Sequence, residues 1–162
     1  MSGPFVSKID TLRPAFGPRV KFAQVSLPDM PFANWADVVF STATFHWILD
    51  HERLFQRLHA ALRPGGRLAV LEIPKMDEGL LRPFARFHFT QVVPRLGRLI
   101  SGHRSAYTYL PLSVDHFMTP REFTAHLVGL GFEVTEVRML MFGTVAMHVA
   151  RKPLLGEPRA AR

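Results

Sequence analysis

The sequence predicts an α/β domain: a parallel strand, helix and strand unit, a helical insertion, and a final helix leading into an antiparallel strand pair. Three observations carry this reading. The stretch Ala36 to Glu72 runs apolar strand, polar loop, amphipathic helix, glycine turn and second apolar strand. Thr119-Pro120-Arg121-Glu122 has the spacing of a capping box with proline at the first helical position. Phe132 to Phe142 and Thr144 to Ala150 are two strand-like runs joined around Gly143.

Taken in chain order, Met1 to Pro18 is broken by Gly3, Pro4, Pro14, Gly17 and Pro18 and offers at most a short helix around Ser7 to Leu12. Arg19 to Val25 alternates Val20 and Phe22 with polar or small residues, a strand pattern, and Pro28, Pro31 and Asn34 mark the loop after it. Val38 to Phe40 is a short apolar run. Ser41 to His46 then switches to small, hydroxyl-bearing and aromatic residues, as at the carboxyl end of a parallel strand. Asp50 is placed to cap a helix whose Leu54, Phe55, Leu58, Ala61 and Leu62 share one face, with Glu52, Arg53, Gln56, Arg57 and His59 opposite. Arg63-Pro64-Gly65-Gly66 ends that helix in a tight turn, and Leu68 to Leu71 is the second buried strand.

Pro83 and Pro94 divide Gly79 to Ile100 into two short helical pieces, in which leucines, phenylalanines and valines are interleaved with Arg82, Arg86, Arg95 and Arg98. This basic amphipathic insertion, 80–106, reads either as a packing element on the sheet or as a lid or membrane-surface patch. After the capping box, Phe123, Leu127 and Leu130 give the last helix its apolar face, and Gly131 closes it. The expected organisation is one domain over 1–152 followed by a basic tail over 153–162.

Composition bounds the function. With 162 residues, 48% hydrophobic and 20% charged, the chain has the material for one globular core. No cysteine is present, which excludes disulfides, thiolate metal sites and cysteine nucleophiles. The histidines show no metal-ligand spacing, so no metal is expected. A net charge of +7 invites a polyanion partner, but the arginines are spread over the 82–104 segment and the tail, so no specific nucleic-acid partner is expected. The amino terminus lacks an apolar leader and no run of 18 apolar residues occurs; the expected location is cytoplasmic, with peripheral membrane contact through the insertion.

The order of these motifs resembles the carboxyl-terminal part of a class I S-adenosylmethionine-dependent methyltransferase. ADVVFS looks like that family's fourth strand, RPGGRLAVLE like its turn into the fifth, and VKFAQVSLPDMPF like the third strand and its loop. Further on, the segment from Tyr107 to Lys152 is similar to the end of the ubiquinone/menaquinone C-methyltransferase family, with Tyr107, Tyr109, Leu110, Ser113, Val114, Gly131, Phe132, Gly143, His148 and Lys152 at matching positions. TATFHWILDH is also similar to the wider small-molecule methyltransferase group, including trans-aconitate-type enzymes.

The resemblance implies a partial Rossmann-like sheet of third to seventh strands with a helical insertion. It implies S-adenosylmethionine as cofactor and a small-molecule acceptor, a lipid quinone or another small molecule. The family's first strand, its G-x-G-x-G turn and its acidic second-strand end have no counterpart before Arg19, so the sequence reads as a truncated methyltransferase domain. Its exposed, apolar sheet edge would be covered by a protein partner or an oligomer. The alternative is a non-catalytic remnant or interaction module of the same descent.

By family position, Ser26 and Leu27 flank the adenine, and Ser41 and Thr42 face the cofactor. For methylation of a quinol-like carbon, His46 is the candidate base that takes a proton from a ring hydroxyl. It also reads as a packed loop ring beside Trp47. Trp47, Tyr107, Tyr109 and His116 are the candidate substrate contacts; the alternative for the tyrosines is that they only pin the insertion to the sheet. His148, inside a strand, reads as structural.

Overall fold

The computed structural model describes residues 20, 21, 23, 25–75, 116–154 and 156. Strands β1 (Ala36–Thr42) and β2 (Leu62–Glu72) flank helix α1 (His51–Ala61); α2 (Pro120–Gly129) is followed by β3 (Glu133–Leu140) and β4 (Val145–Arg151). The sheet order is β1-β2-β4-β3, with β1 and β2 parallel and both contacts of β4 antiparallel. The expected parallel unit and final antiparallel pair are therefore both present.

Of the span read as a strand from Arg19 to Val25, the described residues Val20, Lys21, Ala23 and Val25 lie in no strand. Val20 and Val25 are about two-fifths exposed. The 80–106 insertion lies outside the described residues, as do Tyr107 and Tyr109.

Arg63-Pro64-Gly65-Gly66 is also not a free turn. Helix α1 gives way to β2 at Leu62 without a loop, and the four residues form an irregularity in the β1–β2 ladder, where β1 advances from Ala36 to Val38 while β2 advances from Leu62 to Arg67. Two glycines make that course feasible. Gly65 has φ +79, and a Cβ on Gly66 would lie 2.8 Å from the Arg63 carbonyl oxygen.

The core lies between one face of the sheet and the two helices. Leu54, Phe55, Leu58 and Ala61 of α1 and Phe123 and Leu127 of α2 are buried against Leu68, Val70 and Ala150. Phe55 and Phe123 meet at 5.1 Å between ring centroids, which locks the helices together. Asp50 accepts the Arg53 N–H to cap α1, and the Thr119–Glu122 capping box opens α2. Helix α2 ends in a Schellman motif: the N–H of Gly131 (φ +93) reaches the Val128 carbonyl and that of Phe132 the Leu127 carbonyl, each at 3.0 Å.

The carboxyl end of α1 is fully accounted for. Leu62 N–H reaches the Leu58 carbonyl, Lys152 Nζ the His59 carbonyl (2.9 Å), Asn34 N–H the Ala60 carbonyl and Trp35 N–H the Ala61 carbonyl, both at 2.8 Å. Lys152 also donates to the Leu62 carbonyl at 2.8 Å and to Asn34 Oδ1 at 3.3 Å, so all three of its donors are used. A positive charge at this end also complements the helix dipole. The family-matching lysine thus ties β4, α1 and the entrance to β1 into one joint. Replacing it by methionine leaves helix-end carbonyls without their donor, and Lys152→Met is expected to lose about 1–3 kcal/mol of stability, read as a lower urea midpoint at unchanged m-value.

Candidate functional site

Both strands of the parallel pair end at the same edge of the sheet, where open α/β proteins bind their ligands. Beyond Thr42, the Ala43 N–H still reaches the Leu71 carbonyl at 2.9 Å, after which the chain turns sharply, with Ala43 at φ +48. Thr44 Oγ1 donates to the Thr42 carbonyl at 2.9 Å. A single 3-10 turn, Phe45–Trp47, then leads towards α1.

Glu72, the last residue of β2, organises this loop. Its Oε1 accepts the backbone N–H groups of Thr44 and Phe45, each at 2.6 Å, and its Oε2 lies 2.6 Å from His46 Nδ1. Glu72 is 2% and His46 4% exposed. A carboxylate buried to that degree is tolerated only when its oxygens are satisfied, and here three donors from consecutive residues do so. Next to them, Phe45 drives its ring into the core against Phe55 at 5.2 Å, while Trp47 stands half exposed with its ring 5.0 Å from that of His46. His46 Nε2 is buried and finds no hydrogen-bond partner among the described residues.

His51 extends the arrangement into the helix layer. Its Nε2 lies 3.2 Å from the Phe45 carbonyl and its ring 5.1 Å from Phe117. Burial holds its pKa below the ordinary imidazole value, partly offset by that hydrogen bond.

The residues singled out from sequence fall into groups. Ser41, Thr42, His46 and Trp47 share the β1 end and its loop, but strand alternation divides the first two: Ser41 sides with Val39, which packs on the core, and Thr42 with the exposed Phe40. His116 is exposed in the turn before Phe117, and the Lys75 N–H to Met118 carbonyl bond (3.1 Å) draws that turn towards the chain leaving β2. Ser26 and Leu27 belong to a separate turn, the 3-10 segment Leu27–Asp29, which an Asp29–Arg53 ion pair ties to α1.

Glu72 was not among the sequence candidates. A signal for it existed: with Leu68 and Val70 facing inward, a period of two puts residue 72 on the buried side as well, where an acid needs partners. His148, expected to be structural, is 2% exposed in β4, with Nε2 3.2 Å from the Pro120 carbonyl and its ring 4.7 Å from that of Phe123.

The family model described as "ubiE/COQ5 methyltransferase family" matches residues 12–152. A demethylmenaquinone methyltransferase of Thermus thermophilus is 39% identical over 140 residues, 86% of this chain and 63% of that protein. A ubiquinone/menaquinone biosynthesis C-methyltransferase of Rickettsia bellii is 32% identical over 134 residues, 82% of this chain and 54% of its own. The chain thus spans between about half and two-thirds of the length of these relatives. Among solved structures, a S-adenosylmethionine-dependent methyltransferase from Aquifex aeolicus aligns with TM-score 0.58 at 14% identity, over 89% of this chain and 61% of that one. The [4+2]-cyclase SpnF aligns with TM-score 0.63 at 18% identity, over 90% and 61%. At such identities the likeness concerns the fold alone.

The buried histidines set a pH dependence. Burial lowers the pKa of His148 and of His51 from 6.5, so below that value the unfolded chain takes up protons that the folded one resists. Stability is full above about 6.5 and declines as the pH falls towards the lowered values. Urea unfolding at pH 7 and pH 5.5 is expected to show this decline, and His148→Gln, which keeps a donor for Pro120 without titrating, is expected to make it shallower.

Proposed function

The chain belongs to the ubiE/COQ5 methyltransferase family, and from that premise we propose that it serves S-adenosylmethionine-dependent methylation of a quinone-type ring, with donor and acceptor meeting at the Thr42–Trp47 loop. The observation that carries this reading is the loop itself, placed at the carboxyl end of a parallel pair and clamped by a buried carboxylate. The names of the relatives favour a quinone acceptor over other small molecules.

Ser41, Thr42 and Ala43 fit a wall of the cofactor site, because small side chains at a strand end let a ligand approach the backbone closely. Ser26 and Leu27 stay assigned to the adenine side. When bound, S-adenosylmethionine supplies a methyl group on a sulfonium centre. What the chain contributes is alignment, which is worth up to roughly 7–11 kcal/mol for well-oriented partners.

Trp47 offers a flat, exposed indole against which an aromatic acceptor stacks, and His116, Tyr107 and Tyr109 are further candidate contacts of the acceptor. His46 is the candidate base: Nδ1 is engaged by Glu72, which leaves Nε2 to take the proton of a ring hydroxyl. Since Nε2 is buried, that transfer requires it to be uncovered; the Trp47 ring, half exposed, lies 5.0 Å from that of His46. Among the described residues no helix is long and apolar enough to cross a membrane; a lipid acceptor is met by peripheral contact through the 80–106 segment.

A second reading, a non-catalytic module that docks on a partner or a second copy, is favoured by Val38 and Phe40, which are 61% and 68% exposed on β1. Calorimetric titration with S-adenosylmethionine, followed by transfer of a radiolabelled methyl group to a reduced demethylnaphthoquinone, separates the two. Catalysis predicts saturable heat below about 1 mM cofactor and label in the quinol; no heat and no label overturn it. In the active case Trp47→Ala is expected to raise the acceptor KM about 2- to 10-fold, the loss of one aromatic stacking contact, with a smaller change in kcat.

A further inference from the structure

We propose that Glu72 is a positioning residue, whose carboxylate sets both the turn that leaves β1 and the tautomer of His46. Its meaning for catalysis rests on the reading of His46 given above, but the tautomer itself does not.

A carboxylate can only accept hydrogen bonds, so the nitrogen 2.6 Å from Oε2 must carry a proton. Nδ1 is therefore the donor whatever the charge of the ring, and Nε2 is the only nitrogen left to change its state. Oε1 is occupied by the N–H groups of Thr44 and Phe45. Among the described residues all three donors come from the loop between β1 and α1, far from Glu72 in sequence, and none from β4, its neighbour in the sheet.

An apolar residue at this position would continue the inward row of Leu68 and Val70 with no desolvation cost. What the acid adds is control of the loop. It holds Ala43 in its left-handed conformation, fixes the ring plane of His46 and, through it, the seat of Trp47. Glutamine is nearly isosteric but carries one acceptor and one donor group. With its oxygen held by Thr44 and Phe45, its NH2 would face Nδ1 and force the proton of a neutral ring onto Nε2.

Long-range 15N–1H spectra of 15N-histidine-labelled protein, followed upward in pH until the His46 signals stop changing, read this directly; the His46 resonances are those absent from His46→Asn. The wild type is expected to show a protonated Nδ1 and an unprotonated Nε2, and Glu72→Gln the reverse. A wild-type His46 carrying its proton on Nε2, or an identical pattern in a folded Glu72→Gln, overturns the proposal. The wild-type measurement decides even if the variant does not fold. Neither cofactor nor acceptor is present, so absence of methyl transfer would count against the proposed function and leave this result untouched.

Discussion

An ionised carboxylate buried in a sheet is among the most expensive groups a small domain can carry, costing several kcal/mol unless its oxygens are satisfied. Among the described residues Glu72 offsets that cost by drawing Thr44, Phe45 and His46 onto itself. The Thr42–Trp47 loop therefore has its shape because the sheet contains an acid that needs it. Loss of the loop geometry would leave a buried charge without partners, so loop and sheet stand or fall together.

The rest of the frame acts to keep these two parts in register. Phe45 reaches into the same aromatic layer, Phe55 and Phe123, that joins α1 to α2. His51 takes the Phe45 carbonyl, so the loop is gripped on its helix side as well. At the opposite end of α1, Lys152 and the Asn34–Trp35 backbone close the helix against β4 and β1. The Glu72-held loop and the Lys152 joint thus stand at opposite ends of α1. That separation lets the loop display an exposed ring, Trp47, without weakening the core.

Much of this was legible in the sequence because its signals are local. The Asp50 cap, the apolar face of α1, the Thr119–Glu122 box and the Gly131 closure depend on residues within a turn or two of one another, and all formed as expected. What failed or was missed depends on distant partners. The alternation in Arg19 to Val25 is a strand pattern, yet its described residues pair with nothing in the sheet. Arg63 to Gly66 has the composition of a turn and became a ladder irregularity, since its flanks Leu62 and Arg67 pair with β1 while Gly65 and Gly66 exchange backbone hydrogen bonds with Lys152. His46 could be chosen by its chemistry, but its burial and its partner could not: Glu72 lies 26 residues away, and only the strand parity hinted that it faces inward.

The fold by itself does not decide the chemistry, as a cyclase and methyltransferases share it. The proposed ligand site is local, at the β1 end and the Glu72-held loop. Backbone amide shifts of 15N-labelled protein, titrated with S-adenosylhomocysteine, test it most directly. The account predicts that the largest changes cluster at Ser41 to Trp47 and Glu72. Saturable changes confined to other surfaces, such as the polar face of α1 at Glu52, Arg53, Gln56 and Arg57, would contradict it.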